Sequence, residues 1–173
     1  MLPNLTLVLG GAASGKSEFS ENFILFSTLM PIYLATGQSF DAEMDEKIIL
    51  HKIRRGPEWG LIEAPLDMIP AFESCKPGQA ILLDCATMWL SNWLMAEQDP
   101  QTAPDQFLAE VAHSPAPVVV VSNEVGQGIV PDNALARSFR EAQGRLNIAI
   151  AAKAELVIQV TAGLPQVLKG KIP

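Results

Sequence analysis

Five short runs of consecutive apolar residues punctuate the chain: Thr6–Leu9, Pro31–Ala35, Ala80–Cys85, Val118–Ser122 and Leu156–Val160. Each is bounded by turn-forming or polar residues, the pattern of strands buried on both faces. Between them lie segments with helical spacing or helix-forming composition: Lys16–Phe26, Asp41–Ile53, Thr87–Ala96, Pro104–Ala112 and Asn133–Ala152. Strand alternating with helix predicts an α/β fold, a mostly parallel sheet with helices on both faces. The tail Leu164–Lys169 is expected to add a short antiparallel edge strand. Two stretches rich in proline and polar residues, Arg54–Pro65 and Gln98–Pro117, read as looser connections. With no internal repeat and no low-complexity segment, residues 1–173 are expected to form one domain.

Composition narrows the function classes. The chain is 49% hydrophobic and 18% charged, as suits a well-buried globule, and its formal net charge is −7. That charge argues against a nucleic-acid or anionic-membrane partner, because phosphate-rich surfaces need a basic face. A polyanionic ligand must then be held by a local cluster of donors. No apolar stretch approaches the ~20 residues that span a bilayer, so no integral membrane segment is expected. Met1-Leu2-Pro3-Asn4 lacks the basic start of a secretory leader. Cys75 and Cys85 have neither metal-site nor disulfide-framework spacing, which points to a reducing cytoplasm. Cys85 falls in an apolar run and reads as a small core residue.

Gly10-Gly11-Ala12-Ala13-Ser14-Gly15-Lys16-Ser17 fits G-x-x-x-x-G-K-[ST] without a gap, after an expected strand and at the start of an expected helix. In that context the glycines let backbone N–H groups curl around a β-phosphate, and the helix N-terminus adds a favourable dipole. Lys16 would reach the β- and γ-phosphates, and the Ser17 hydroxyl would ligate Mg²⁺. The loop says nucleotide and says nothing of the acceptor. Asp84 closes the third apolar run, where phosphate-loop proteins place a second Mg²⁺-directed group. The plainer role for an aspartate there is to cap the helix that follows, but after a complete phosphate loop the metal role is the expected one.

The segment from Asp41 to Arg55 begins acidic and ends basic, matching a helix dipole at both ends. Lys47, Lys52, Arg54 and Arg55 are four of the chain's 12 Lys and Arg residues. A solvated amphipathic helix explains this pattern. So does a catalytic one: the neutral imidazole of His51 is a competent nucleophile toward phosphorus. Neighbouring cations would offset phosphate charge and keep that ring neutral. Spacing alone does not choose between them.

The same residues carry a resemblance. Tyr33-Leu34-Ala35-Thr36, Asp41-x-Glu43-Met44, Lys47-Ile48, His51-Lys52, Arg54-Arg55 and Trp59 follow the phosphate loop in order. Leu82-Leu83-Asp84-Cys85, Trp89-Leu90-Ser91-Asn92 and Ser122-Asn123-Glu124-Val125-Gly126-x-Gly128-Ile129-Val130-Pro131 come next. Phe139-Arg140, Gly144-Arg145, Asn147 and Ala162-Gly163-Leu164-Pro165 complete the series. Over essentially its whole length the chain resembles the bifunctional adenosylcobinamide kinase / adenosylcobinamide-phosphate guanylyltransferases of cobalamin biosynthesis. The resemblance implies a RecA-like P-loop fold, a propeller-shaped homotrimer and two activities in succession. The aminopropanol hydroxyl of adenosylcobinamide is phosphorylated by a nucleoside triphosphate, GTP or ATP. GMP is then transferred from GTP to adenosylcobinamide phosphate through a guanylylated histidine, which maps onto His51. Implied nucleotide contacts are Gly10, Gly11, Ala12, Ala13, Ser14, Gly15, Lys16, Ser17, Thr36, Gly37, Gln38, Lys52, Ile53, Arg54, Arg55, Glu63 and Asp84. The chain departs from the family pattern at Ala13, usually arginine, at Gly56 before Pro57, and at Ile148 after Asn147.

Several features keep two readings each. Asn123 and Glu124 suit a ligand edge of the sheet or a glycine-rich turn. Arg137 and Arg140 suit phosphate binding or plain solvation of a helix face. Gly144 costs ~1 kcal/mol in a helix interior relative to alanine, so close packing against it is expected. Without the resemblance, a plain small-molecule kinase with a dispensable His51 also fits, as does a nucleotide-dependent regulatory module.

Overall fold

The computed structural model describes residues 1–38 and 56–173. The expected helix Asp41–Ile53, with His51, Lys52, Ile53, Arg54 and Arg55, lies outside the described residues. Strands β1 (Leu5–Gly10), β2 (Met30–Ala35), β3 (Gly60–Glu63), β4 (Gln79–Asp84), β5 (Val118–Asn123), β6 (Leu156–Thr161) and β7 (Leu164–Lys169) form one sheet. Its order is β3-β2-β4-β5-β1-β6-β7. Every pairing is parallel except β6 with β7. The helices are α1 (Lys16–Leu25), α2 (Ile69–Ser74), α3 (Ala86–Met95), α4 (Ala103–Val111) and α5 (Ala134–Lys153).

Strand alternation sorts the core into two layers. Leu7, Leu34, Ile81, Leu83, Val118, Val120 and Val157 pack against Phe72, Trp89, Phe107 and Leu146 from α2, α3, α4 and α5. Val8, Tyr33, Leu82, Val119, Val121 and Ile158 face the other way, onto Phe23 and Ile24 of α1 and onto Trp59. Because both faces are covered, Val118, Val119, Val120 and Val121 are all buried in succession. That is why the central strands read as continuous apolar runs. Trp89 anchors the thicker layer, fully buried, edge-on to Phe107 at 5.0 Å and stacked with Trp93 at 5.3 Å. Its indole N–H donates to the Leu66 carbonyl at 2.8 Å.

The expected antiparallel tail is β7, wholly exposed at the sheet edge. Its Lys169 donates to the carbonyls of Ala151 and Ala152 at 3.0 Å, satisfying orphan acceptors at the end of α5. Asn133 caps the other end of α5, its side chain accepting from Ala136 N at 2.7 Å. Two elements were not legible in the sequence. Strand β3 lies in the stretch expected to be loose; it spans only 4 residues, with Leu61 and Glu63 exposed, and is held by pairing with β2. Helix α2 spans 6 residues and is positioned by the buried Met68 and Phe72. Neither is long enough to carry a periodic signal.

Gly144 corrects one expectation. A Cβ built there meets nothing within 4 Å, so close packing among the described residues does not require the glycine. Gly144→Ala is therefore expected to raise unfolding stability by about 1 kcal/mol, the helix-propensity difference alone. Urea denaturation checks this through a higher midpoint at unchanged slope. A lower midpoint would mean that something other than the described residues occupies the space.

Candidate functional site

The phosphate loop joins the interior strand β1 to the helix beneath the sheet. Gly10 ends β1, Lys16 opens α1, and Gly15 sits at the N-cap with φ 91°. Ala13 also takes a positive φ, 53°, a conformation alanine adopts only under constraint. The constraint is visible around it. Ser14 N donates to Gly11 O at 3.3 Å, and Gly163 N, in the β6–β7 turn, donates to Ser14 O at 2.8 Å. A Cβ on Gly15 would lie 3.1 Å from Gly163 Cα. A Cβ on Gly10 would collide with the Ser14 hydroxyl and lie 2.7 Å from Val160 O. Both glycines are there because backbone passes through the space a side chain would fill.

Lys16 folds back across the loop and donates to Gly11 O at 3.0 Å. Burial lowers the pKa of its ammonium, while Asp84 and Cys85 push it the other way. A partly desolvated cation at the N-terminus of a helix is a strong attractor for phosphate. Ser17 stands next to it in the first turn of α1. Asp84 closes β4 on the same edge, and its carboxylate makes no hydrogen bond among the described residues. It is not the helix cap: that position belongs to Cys85, which makes no side-chain cap bond. The Cys85 thiol is pushed up to about 12 by burial first and by Asp84 second, so it stays protonated and inert.

Thr36 is fully buried, and its hydroxyl is engaged on both sides. It donates to Cys85 O at 2.7 Å and accepts from Cys85 N at 2.8 Å. Thr36 N donates to Asp84 O at 3.3 Å. Asn92 then holds Thr36 O at 2.8 Å and Pro65 O at 2.7 Å. The ends of β2 and β4 are thus tied together beneath Asp84. Gly37 and Gln38 follow at the rim, Gln38 exposed. Glu63 is exposed at the end of β3, level with Ala35. The strand order puts it four strands from Gly10, about 19 Å at ~4.8 Å per strand. The fold therefore gathers Gly10 to Ser17 with Asp84, keeps Thr36 underneath and sets Glu63 at the far end of the edge.

A second polar group went unread. Ser122 and Gln143 are fully buried and Asn147 nearly so. Ser122 Oγ donates to Asn147 Oδ1 at 2.6 Å, and Gln143 Nε2 donates to both Ser122 Oγ and Asn147 Oδ1, at 2.9 and 3.0 Å. Asn147 had been visible only through the family resemblance; no local pattern announces a bond reaching from a helix to a strand end. The two arginines also have partners in the fold. Arg137 donates to the carbonyls of Pro131 and Asp132, and Arg140 to those of Ile129 and Gly126. They clamp the loop after β5 onto α5.

Comparison with known proteins agrees with this geometry. A solved ATPase from the type III secretion system of pathogenic bacteria superimposes with a TM-score of 0.60 at 12% identity, covering 92% of this chain and 51% of that one. At such identity the likeness speaks for the P-loop fold alone. The chain is 39% identical over 169 residues to the bifunctional adenosylcobalamin biosynthesis protein CobP of Pseudomonas aeruginosa, covering 95% of this chain and 97% of that one. It is 39% identical over 177 residues to the bifunctional adenosylcobalamin biosynthesis protein CobU of Salmonella typhimurium, covering 92% and 97%. The sequence profile of the cobinamide kinase / cobinamide phosphate guanyltransferase family matches residues 6–168, and the chain belongs to that family.

Proposed function

We propose that this transferase uses one nucleotide site for two successive transfers to a corrinoid. In the first, the aminopropanol hydroxyl oxygen of adenosylcobinamide bonds to the γ-phosphorus of GTP or ATP. The bond from that phosphorus to the β,γ-bridging oxygen breaks, the nucleoside diphosphate leaves with the electron pair, and the hydroxyl proton passes to water. In the second, an imidazole nitrogen of His51 bonds to the α-phosphorus of GTP and pyrophosphate leaves. A phosphate oxygen of adenosylcobinamide phosphate then displaces the imidazole, giving adenosylcobinamide-GDP. Splitting the second transfer needs a nucleophile that is also a good leaving group, and imidazole is both.

The observation that carries this reading is Lys16 held over the loop at Gly11, in a chain of this family. Backbone N–H groups of Gly11, Ala12, Ala13 and Gly15 line the phosphate path, and Ser14 N and Lys16 replace their bonds to Gly11 O with bonds to phosphate oxygens. Ser17 and Asp84 suit Mg²⁺: one carboxylate without a hydrogen bond among the described residues, and one hydroxyl. Among those residues no group of three His, Cys, Asp or Glu forms. Mg²⁺ takes few protein ligands and completes its shell with phosphates and water. When bound it neutralises charge on the phosphates. Thr36, Gly37 and Gln38 border the nucleotide path. Glu63, far from the loop along the edge, suits the base end of the nucleotide. His51, Lys52, Ile53, Arg54 and Arg55 supply the nucleophile and its flanking cations by sequence pattern.

The finer reading also includes a homotrimer working in the cytoplasm without nucleic acid. The exposed apolar residues Ile129, Val130 and Leu135 offer a surface for self-association. Among the described residues no helix is long and apolar enough to cross a membrane.

Protein mixed with Mg²⁺ and GTP, without corrinoid, is expected to gain the mass of one GMP and release pyrophosphate. Label on the α-phosphate stays with the protein and label on the γ-phosphate does not. His51→Ala loses the adduct and guanylyl transfer but keeps γ-transfer to adenosylcobinamide. Normal production of adenosylcobinamide-GDP by that variant would replace the covalent route with direct transfer. Lys16→Ala is expected to abolish both transfers, whereas Asp84→Asn lowers turnover more than nucleotide affinity. Steady-state kinetics beside equilibrium GTP binding separate the two effects, and equal losses in Asp84→Asn would leave Asp84 a structural role only.

A further inference from the structure

We propose that Asn123 is a further catalytic residue, its carboxamide N–H donating to the terminal phosphate of the bound triphosphate; the proposal rests on the reading of this edge as the triphosphate site. Asn123 closes β5, the strand that lies between β4, ending in Asp84, and β1, ending in the phosphate loop. It pairs with Gly10, and Asp84 pairs with Val121 two residues earlier on the same strand. Asn123 therefore fills the one sheet position between the carboxylate and the loop.

Alternation fixes the face. Val119 and Val121 pack in the layer beneath α1, while Val118 and Val120 pack in the other. A period of two puts Asn123 on the α1 side. The same count from Ala80 and Leu82 puts Asp84 there, and from Val8 puts Gly10 there. Asp84, Asn123 and the helix that begins at Lys16 share one side of one edge.

The backbone of Asn123 is gripped from two directions. Its N–H donates to Thr87 Oγ1 at 2.9 Å, and its carbonyl accepts from Asn147 Nδ2 at 3.2 Å. Asn147 is oriented in turn by the buried Ser122 and Gln143. Glu124 N donates to Gly10 O at 3.0 Å, pinning the next peptide to the loop. Three buried polar side chains cost desolvation and gain packing specificity only through what they hold, and what they hold is Asn123. Its own carboxamide makes no hydrogen bond among the described residues and is partly exposed. Neighbouring Glu124 cannot take this role, since its carboxylate accepts from Gly126 N and would repel phosphate. A neutral amide donor sits beside Asp84 without competing for a cation and faces oxygens where negative charge grows during γ-transfer.

In attack on the α-phosphorus, charge grows on the α,β-bridging oxygen, away from the terminal phosphate. The two transfers should therefore depend on Asn123 unequally. Asn123→Asp, nearly isosteric but lacking the donor, and Asn123→Ala are each expected to lower kinase kcat about 10²-fold, the cost of one such donor. Guanylylation of the protein by GTP should fall much less, at unchanged thermal stability. Titration with Mg²⁺ and either GTP or GDP gives a readout free of corrinoid: wild type favours GTP, and both variants lose about tenfold of that preference, the worth of one hydrogen bond to a charged group. The proposal is overturned if the variants keep the wild-type GTP/GDP preference, or if both transfers fall by the same factor. A wild-type protein without either transfer would instead overturn the functional reading, leaving the GTP/GDP comparison to judge Asn123.

Discussion

A chain with a formal charge of −7 has to hold a ligand that is itself a polyanion. Long-range repulsion works against binding, so the phosphates must be met by donors already in place at short range. The phosphate loop meets that requirement with backbone N–H groups, the positive end of α1 and one partly buried ammonium. Its shape in turn depends on contacts far away in sequence. Gly163 holds Ser14, Val160 and Gly163 crowd the two loop glycines, and Ala13 is kept in a conformation it would not choose alone. The contacts that hold the sheet together therefore also fix the shape of the loop proposed to take the phosphates.

The opposite wall of the site is built by a different device. Asp84 ends a strand, and nothing in its own hydrogen bonding fixes it. Thr36 clamps the following peptide through both its donor and its acceptor, and Asn92 clamps Thr36. Thr87 and Asn147 treat Asn123 in the same way. At each strand end, side chains are spent on backbone so that one functional group stands at a defined place. Such supporting shells account for the buried polar residues that a purely apolar core would not contain.

These two layers were unequally legible. Strands came within about a residue of their observed ends because burial on both faces makes them apolar throughout. The phosphate loop and Asp84 were legible because their chemistry is local: a fixed spacing, a preceding strand, a following helix. Strand β3 and helix α2 were not, being too short to show a period and stabilised only by partners elsewhere. Thr36, Ser122 and Asn147 stood out only through the family resemblance and Gln143 not at all, and the supporting bonds of these residues and of Thr87 were not legible, since they join residues 21 to 49 positions apart. The contacts of Arg137 and Arg140 with loop carbonyls were not legible either, because those carbonyls belong to the loop after β5 and follow no side-chain pattern. Gly144 misled, suggesting close packing where the described residues leave open space.

The central claim is that one phosphate loop serves both chemistries, the choice lying in which phosphorus is attacked. A GTP analogue with a methylene bridge between the β- and γ-phosphates isolates that claim, because it blocks γ-transfer and leaves the α-phosphorus open. Its inhibition of the kinase step can be compared with the concentration dependence of its guanylylation of the protein. One shared site predicts competitive inhibition against the phosphoryl donor, with an inhibition constant equal to the dissociation constant measured from guanylylation. Non-competitive inhibition, or two unequal constants, would mean separate nucleotide sites and would contradict the account.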